Sequence, residues 1–107
     1  MNVGLLFPFR NPPKWRKPFT QFYAEQLRQA QLAEELGYDT IWLTEHHFAE
    51  DGYSPSLLPI AGALAAMTTR IRIGTFLLLL PPHNAVRVGE GAATVDVLTN
   101  GRFDMGL

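Results

Sequence analysis

The residues in this chain best suited to moving protons are Glu45, His46, His47 and His83. The first three are consecutive and are followed by Phe48. An unperturbed imidazole titrates near pH ~6.5, so at neutral pH it can take or give a proton, and a neighbouring carboxylate can orient it. The same four side chains could be read as a metal site. Ligands must converge on one point, however, and consecutive residues of an extended segment point to opposite faces, so no metal is expected. By that alternation His46 and His47 face opposite ways, and the expectation is that one serves a site and the other the structure. Glu45 fits two roles equally: chemistry beside His46, or a tie between its strand end and neighbouring loops. With no cysteine in the chain, thiol catalysis, thiolate metal ligands and disulfides are excluded.

Chemistry at residues 45–47 needs an element that presents them. Asp39–Thr44, with Ile41, Trp42 and Leu43, reads as a strand that delivers Glu45 to His47 at its C-terminal end. Asn2–Phe7 is a mostly apolar run closed by Pro8 and reads as an earlier strand. Between the two, Phe22, Tyr23, Leu27, Ala30, Ala33 and Leu36 fall on one side of a helix, with Thr20 as its expected N-cap and Gly37 as its C′ residue. Ser54-Pro55 reads as the cap of a small-residue helix running to about Thr69. Arg70–Leu80 contains a third strand, and its run Phe76–Leu80 is expected to be mostly core because buried parallel strands are near-continuously apolar. Ala85–Leu98 reads as a helix, Asn100-Gly101 as a turn and Arg102–Leu107 as a fourth strand.

Four strands alternating with three helices imply a parallel sheet covered by helices. Two architectures repeat that unit. A dinucleotide-binding sheet needs a Gly-x-Gly-x-x-Gly turn after its first strand, where this chain has Phe7-Pro8-Phe9-Arg10-Asn11-Pro12-Pro13. A (β/α)8 barrel remains. Such a barrel takes about 250 residues, so these 107 can supply only its first half. In such a half the inward faces of Val3, Leu5, Ile41, Leu43, Ile71 and Ile73, or of their alternates, lack opposing side chains. The isolated chain is therefore expected to self-associate or be partly disordered.

Composition narrows the partners. The chain has 47% hydrophobic and 18% charged residues, as an ordinary globular domain does, so residues 1–107 are expected to form one domain portion. Nine basic against ten acidic residues give a net charge of −1, without the basic excess that attracts nucleic acid or an anionic membrane. The start lacks a secretory pattern, and Phe76–Pro82 is far below the ~18 apolar residues of a span. A cytoplasmic protein is expected.

Four segments carry a resemblance. Gly37-Tyr-Asp-Thr-Ile-Trp-Leu-Thr-Glu-His-His-Phe48, Arg70-Ile-Arg-Ile-Gly-Thr75, Pro82-His-Asn-Ala-Val-Arg-Val-Gly-Glu90 and Leu98-Thr-Asn-Gly-Arg-Phe-Asp-Met-Gly-Leu107 stand in one order and register. Together they resemble the bacterial luciferase-like flavin monooxygenases. The resemblance implies a (β/α)8 barrel, reduced FMN as cosubstrate, and O2 divided between a small organic product and water. It implies a possible separate flavin reductase as partner, and a homo-oligomer. The flavin phosphate site of that family is assembled largely from later strands, so the competence of this portion by itself is a separate question.

Oxygen activation on reduced flavin is productive only where water is excluded, since exposure diverts it to hydrogen peroxide. His46 matches the family's active-site histidine and is the candidate catalytic residue. Phe76 and Leu77 match the segment beneath the flavin ring and are the candidate cofactor contacts. The resemblance also implies a non-proline cis peptide directly after Gly74-Thr75, at Phe76–Leu77. His47 is expected to be structural. Two other readings stand beside this one. The first is a deazaflavin-dependent hydride-transfer enzyme of the same superfamily, although those commonly carry Asp-His where this chain has Glu-His-His-Phe. The second is a non-catalytic fragment that associates with another chain through exposed strand edges, because Leu107 falls inside an apolar strand without a stop signal.

Overall fold

A computed structural model describes residues 1–107. The chain runs β1 (Gly4–Phe7), a single 3₁₀ turn (Pro13–Trp15), α1 (Phe19–Glu35), β2 (Thr40–Leu43), α2 (Leu57–Met67), β3 (Arg72–Thr75), α3 (Ala85–Thr99) and β4 (Phe103–Met105). The four strands form one parallel sheet in the order β1-β2-β3-β4. A doubly wound sheet reverses its strand order at a switch point. Here the order never reverses, so successive crossovers of one hand put all three helices on the same face, as in a barrel wall.

Alternation along the strands sorts the side chains. Ile41, Leu43 and Ile73 are fully buried beneath the helices and meet Ala30, Ala33, Ile60, Leu64 and Val95 in one core. Each such aliphatic side chain contributes about 1.5–3 kcal/mol on burial. The alternate residues Leu6, Trp42, Gly74 and Arg72 occupy the other face. Of the two sets named from the sequence, the alternates thus make the open face, because the longer aliphatic run is the one the helices cover.

Helix ends follow local chemistry. Gly37, at φ +89°, ends α1 with the two bonds of a Schellman motif, Tyr38 N–H to the Ala33 carbonyl and Gly37 N–H to the Glu34 carbonyl. Glu34 then reaches over to the segment just before β3, where its carboxylate accepts the backbone N–H groups of Thr69, Arg70 and Ile71 at 2.6–3.1 Å. Burial works against its charge, but these bonds outweigh it and hold the carboxyl below its ordinary range.

Several expectations are corrected. Thr20 is not the N-cap of α1; Pro18 is, and its carbonyl accepts Phe22 N–H, so the helix opens two residues earlier. Ser54 does not cap α2, because its buried hydroxyl donates to the Pro8 carbonyl at 2.9 Å and Ser56 takes the cap position. Phe76–Leu80 is not strand core. Pairing in β3 ends at Thr75, and the run crosses the sheet end as a loop in which only Leu78 is buried.

Candidate active site

The C-terminal end of β2 carries the chemistry. Alternation continues beyond Leu43, so Glu45 and His47 turn to the helix side while Thr44 and His46 turn the other way. The Glu45 side chain is 1% exposed. Its Oε1 accepts Nε2–H from both His47 and His83, each at 2.5 Å, and its Oε2 accepts the Leu79 N–H at 2.7 Å. Burial pushes the Glu45 carboxyl up, but the Leu79 amide and the two imidazoles outweigh that, holding it below the usual carboxylate range.

Glu45, His47 and His83 therefore converge, with ligand-type atoms all within 4.8 Å. Glu45 and His47, two residues apart, share a face, and His83 arrives from another loop. In this structure the three are joined by hydrogen bonds, with both imidazoles 2.5 Å from Glu45 Oε1. The cluster is a hydrogen-bonded network, and His46 is outside it.

The His46 ring has one fixed nitrogen. Nδ1 lies 2.7 Å from the Glu45 carbonyl oxygen. A carbonyl can only accept, so Nδ1 carries a proton, and in the neutral ring Nε2 keeps its lone pair for an incoming group. The ring packs against Tyr53 with centroids 4.6 Å apart and planes tilted by 37°, and the Arg10 guanidinium also sits over Tyr53 at 5.2 Å. Arg10 in turn pairs with Asp51 at 2.6 Å, and that bond leads the effects holding the Asp51 carboxyl below its usual range. His46, Arg10, Asp51 and Tyr53 line one open hollow.

A second hollow lies on the open face of the sheet, walled by Leu6, Trp42 and Phe76. Trp42 and Phe76 meet edge to face at 6.4 Å, and Phe76 is 61% exposed. The Phe76–Leu77 peptide is cis, at the bond the resemblance implied. Leu77 is also exposed but packs toward Gly106 rather than into this hollow. Beside Glu45, the hydroxyl of Thr44 is buried and has no hydrogen-bond partner.

The model of the family described as luciferase-like monooxygenase matches residues 1–107, the chain from end to end. The chain belongs to the luciferase-like monooxygenase family. The uncharacterized protein YwcH of Bacillus subtilis is 44% identical over 80 residues, covering 73% of this chain and 23% of that protein. The alkanal monooxygenase alpha chain of Photorhabdus laumondii is 32% identical over all 107 residues, 29% of its own length. Among solved structures, the monooxygenase RslO1 from Streptomyces bottropensis superposes with a TM-score of 0.87 at 34% identity, over 98% of this chain and 32% of its own. The oxygenating constituent of 3,6-diketocamphane monooxygenase from Pseudomonas putida, solved with FMN, gives 0.86 at 21% identity, over 98% and 28%. An F420-dependent secondary alcohol dehydrogenase gives 0.75 at 21%, over 95% and 29%. The last two share the fold. The chain thus spans about a quarter to a third of the relatives it matches, and this half-wall of four strands and three helices corresponds to the N-terminal part of their (β/α) barrels.

In this luciferase-like chain the residues singled out from sequence fall into three places. His46 and Phe76 line separate hollows, Leu77 lies beside the second, and His47 sits in the Glu45 network. Tyr53, Arg10 and Thr44 were not singled out. Tyr53 and Arg10 lie on loops where no periodicity marks them, and Thr44 is recognisable only once its hydroxyl is seen to lack a partner. No helix is long and apolar enough to cross a membrane.

Proposed function

We propose that the intact protein is an FMN-dependent monooxygenase that uses reduced flavin and O2 to oxygenate a small organic substrate. The observation that carries this reading is His46: an imidazole at the C-terminal end of a barrel-type strand, its Nδ1 proton committed to the Glu45 carbonyl and its Nε2 free. Reduced FMN, when bound, supplies the electrons with which O2 is divided between product and water.

The residues present fit a flavin. Leu6, Trp42 and Phe76 offer an apolar, aromatic wall against which a planar ring can lie, and such a wall excludes water. The buried Thr44 hydroxyl has an unmet hydrogen bond on the same face, where a polar ring atom would satisfy it. His46 Nε2 takes a proton from, or after protonation returns one to, the reacting substrate oxygen. Tyr53 keeps the ring from turning, and its contact with Arg10 keeps Tyr53 in place.

The deazaflavin reading is less favoured because of the Glu45-His46-His47-Phe48 sequence at this strand end. Parallel titrations of the intact protein with FMN and with F420, followed by O2 uptake with the reduced cofactor, test the choice. Tight FMN binding with coupled O2 consumption is expected. Preference for F420 without O2 uptake would replace this reading with hydride transfer. A separate flavin reductase and a homo-oligomer are proposed partners, read out by whether added reductase sustains turnover and by solution mass.

A further inference from the structure

The loop from Phe76 to Pro82 makes few backbone pairings of its own, and its N–H groups reach three different places. Phe76 N–H goes to the Leu43 carbonyl at 2.6 Å, Leu78 N–H to the Gly106 carbonyl at 2.9 Å, and Leu79 N–H to the Glu45 carboxylate at 2.7 Å. The first two are backbone to backbone. The third is the loop's side-chain tether, from a carboxylate that is almost completely buried.

Glu45 makes four polar contacts, and they do two jobs. Its backbone carbonyl fixes the tautomer and direction of His46. Its carboxylate holds Leu79, three residues beyond Phe76, and is itself held by His47 from the segment after β2 and His83 from the loop before α3. An ionised carboxylate has about four acceptor positions, and three are filled here. Charge-assisted bonds of this kind are about twice as strong as neutral ones. His83 precedes Asn84, the N-cap of α3, so the network also joins the loop to a rigid element.

We infer that Glu45, clamped by His47 and His83, is a positioning residue that fixes the Phe76–Leu80 platform relative to His46. This rests on the reading of Phe76 as a cofactor contact and His46 as the proton-transfer group. The clamp explains why a carboxylate is buried at a strand end without touching either hollow. All three partners donate to it here, so any neutral replacement that cannot accept three N–H groups loosens the loop.

The test uses the intact protein and the variants Glu45→Ala, His83→Leu and His83→Gln, the last of which keeps a side-chain N–H for the carboxylate. Hydrogen exchange of the 76–83 segment without flavin reads the clamp directly. Exchange there should quicken roughly tenfold in Glu45→Ala and His83→Leu, the factor expected for losing about one net hydrogen bond, and stay near wild type in His83→Gln. In the first two variants the absorption spectrum of bound FMN should shift and the share of O2 released as hydrogen peroxide should rise. Should Glu45→Ala fail to fold, His83→Leu decides, since His83 sits on a partly exposed loop. Unchanged exchange in folded His83→Leu overturns the clamp. Quickened exchange with an unchanged flavin spectrum overturns its role toward the cofactor. A wild-type protein that binds no FMN overturns the functional reading and that role together, while the exchange result still judges the tether.

Discussion

Trp42 and Gly74 are register partners on β2 and β3, and the indole lies over the glycine so closely that a Cβ there would stand 2.3 Å from Trp42 Cζ3. Gly74 is therefore the floor on which the inner wall of the sheet is built. Gly74→Ala must push the indole off the sheet or move the strand. Overpacking of this sort costs about 1–3 kcal/mol. The expected result is a lower melting temperature with a shifted tryptophan emission, and weaker FMN binding because Trp42 and Phe76 no longer share one wall. A variant with native melting and emission would show that the indole has room to spare.

His46→Ala in the intact protein should leave FMN affinity nearly unchanged and reduce turnover by about 10²-fold or more, the scale of a lost general acid or base. Hydrogen peroxide release should increase. His47→Ala should act differently, lowering stability through the Glu45 network. Full coupled oxygenation by His46→Ala would remove its catalytic assignment.

Acid should unfold the protein through two named carboxylates. Glu34 and Glu45 both have folded pKa values held below their ordinary 4.5, so each contributes stability that is complete above that value. Protonation in the folded state requires lower pH, and the contribution is lost as pH falls from about 4.5 through the folded pKa. Denaturant midpoints measured from pH 7 down to pH ~3 should fall most steeply below 4.5. Glu34→Gln should flatten that slope. A slope identical to wild type would mean that other groups govern acid unfolding.

Thr44→Val removes the buried hydroxyl that has no partner. An unsatisfied buried polar group costs about 1–3 kcal/mol, so the flavin-free variant should melt higher than wild type. Its FMN affinity should drop. If melting falls and flavin affinity holds, the hydroxyl is satisfied by the protein itself.

Most of the architecture was legible in the order of residues. The spacing of apolar runs, the absence of a glycine-rich turn after Phe7, and Gly37 and Asn100 at helix ends determined a parallel β/α wall, because backbone periodicity and left-handed caps are local properties. His46 at a strand end was equally local. The sequence could not say that Phe76–Leu80 leaves the sheet, since an apolar loop and an apolar strand have the same composition. Nor could it join Glu45 to His83, which lies 38 residues away. Alternation relates neighbours on one strand, but the partners of a buried carboxylate are chosen by which loops the fold brings to that strand's end. The Glu45 network, the two hollows and the unmet Thr44 hydroxyl were decided there, by tertiary contacts between segments that carry no mark of one another.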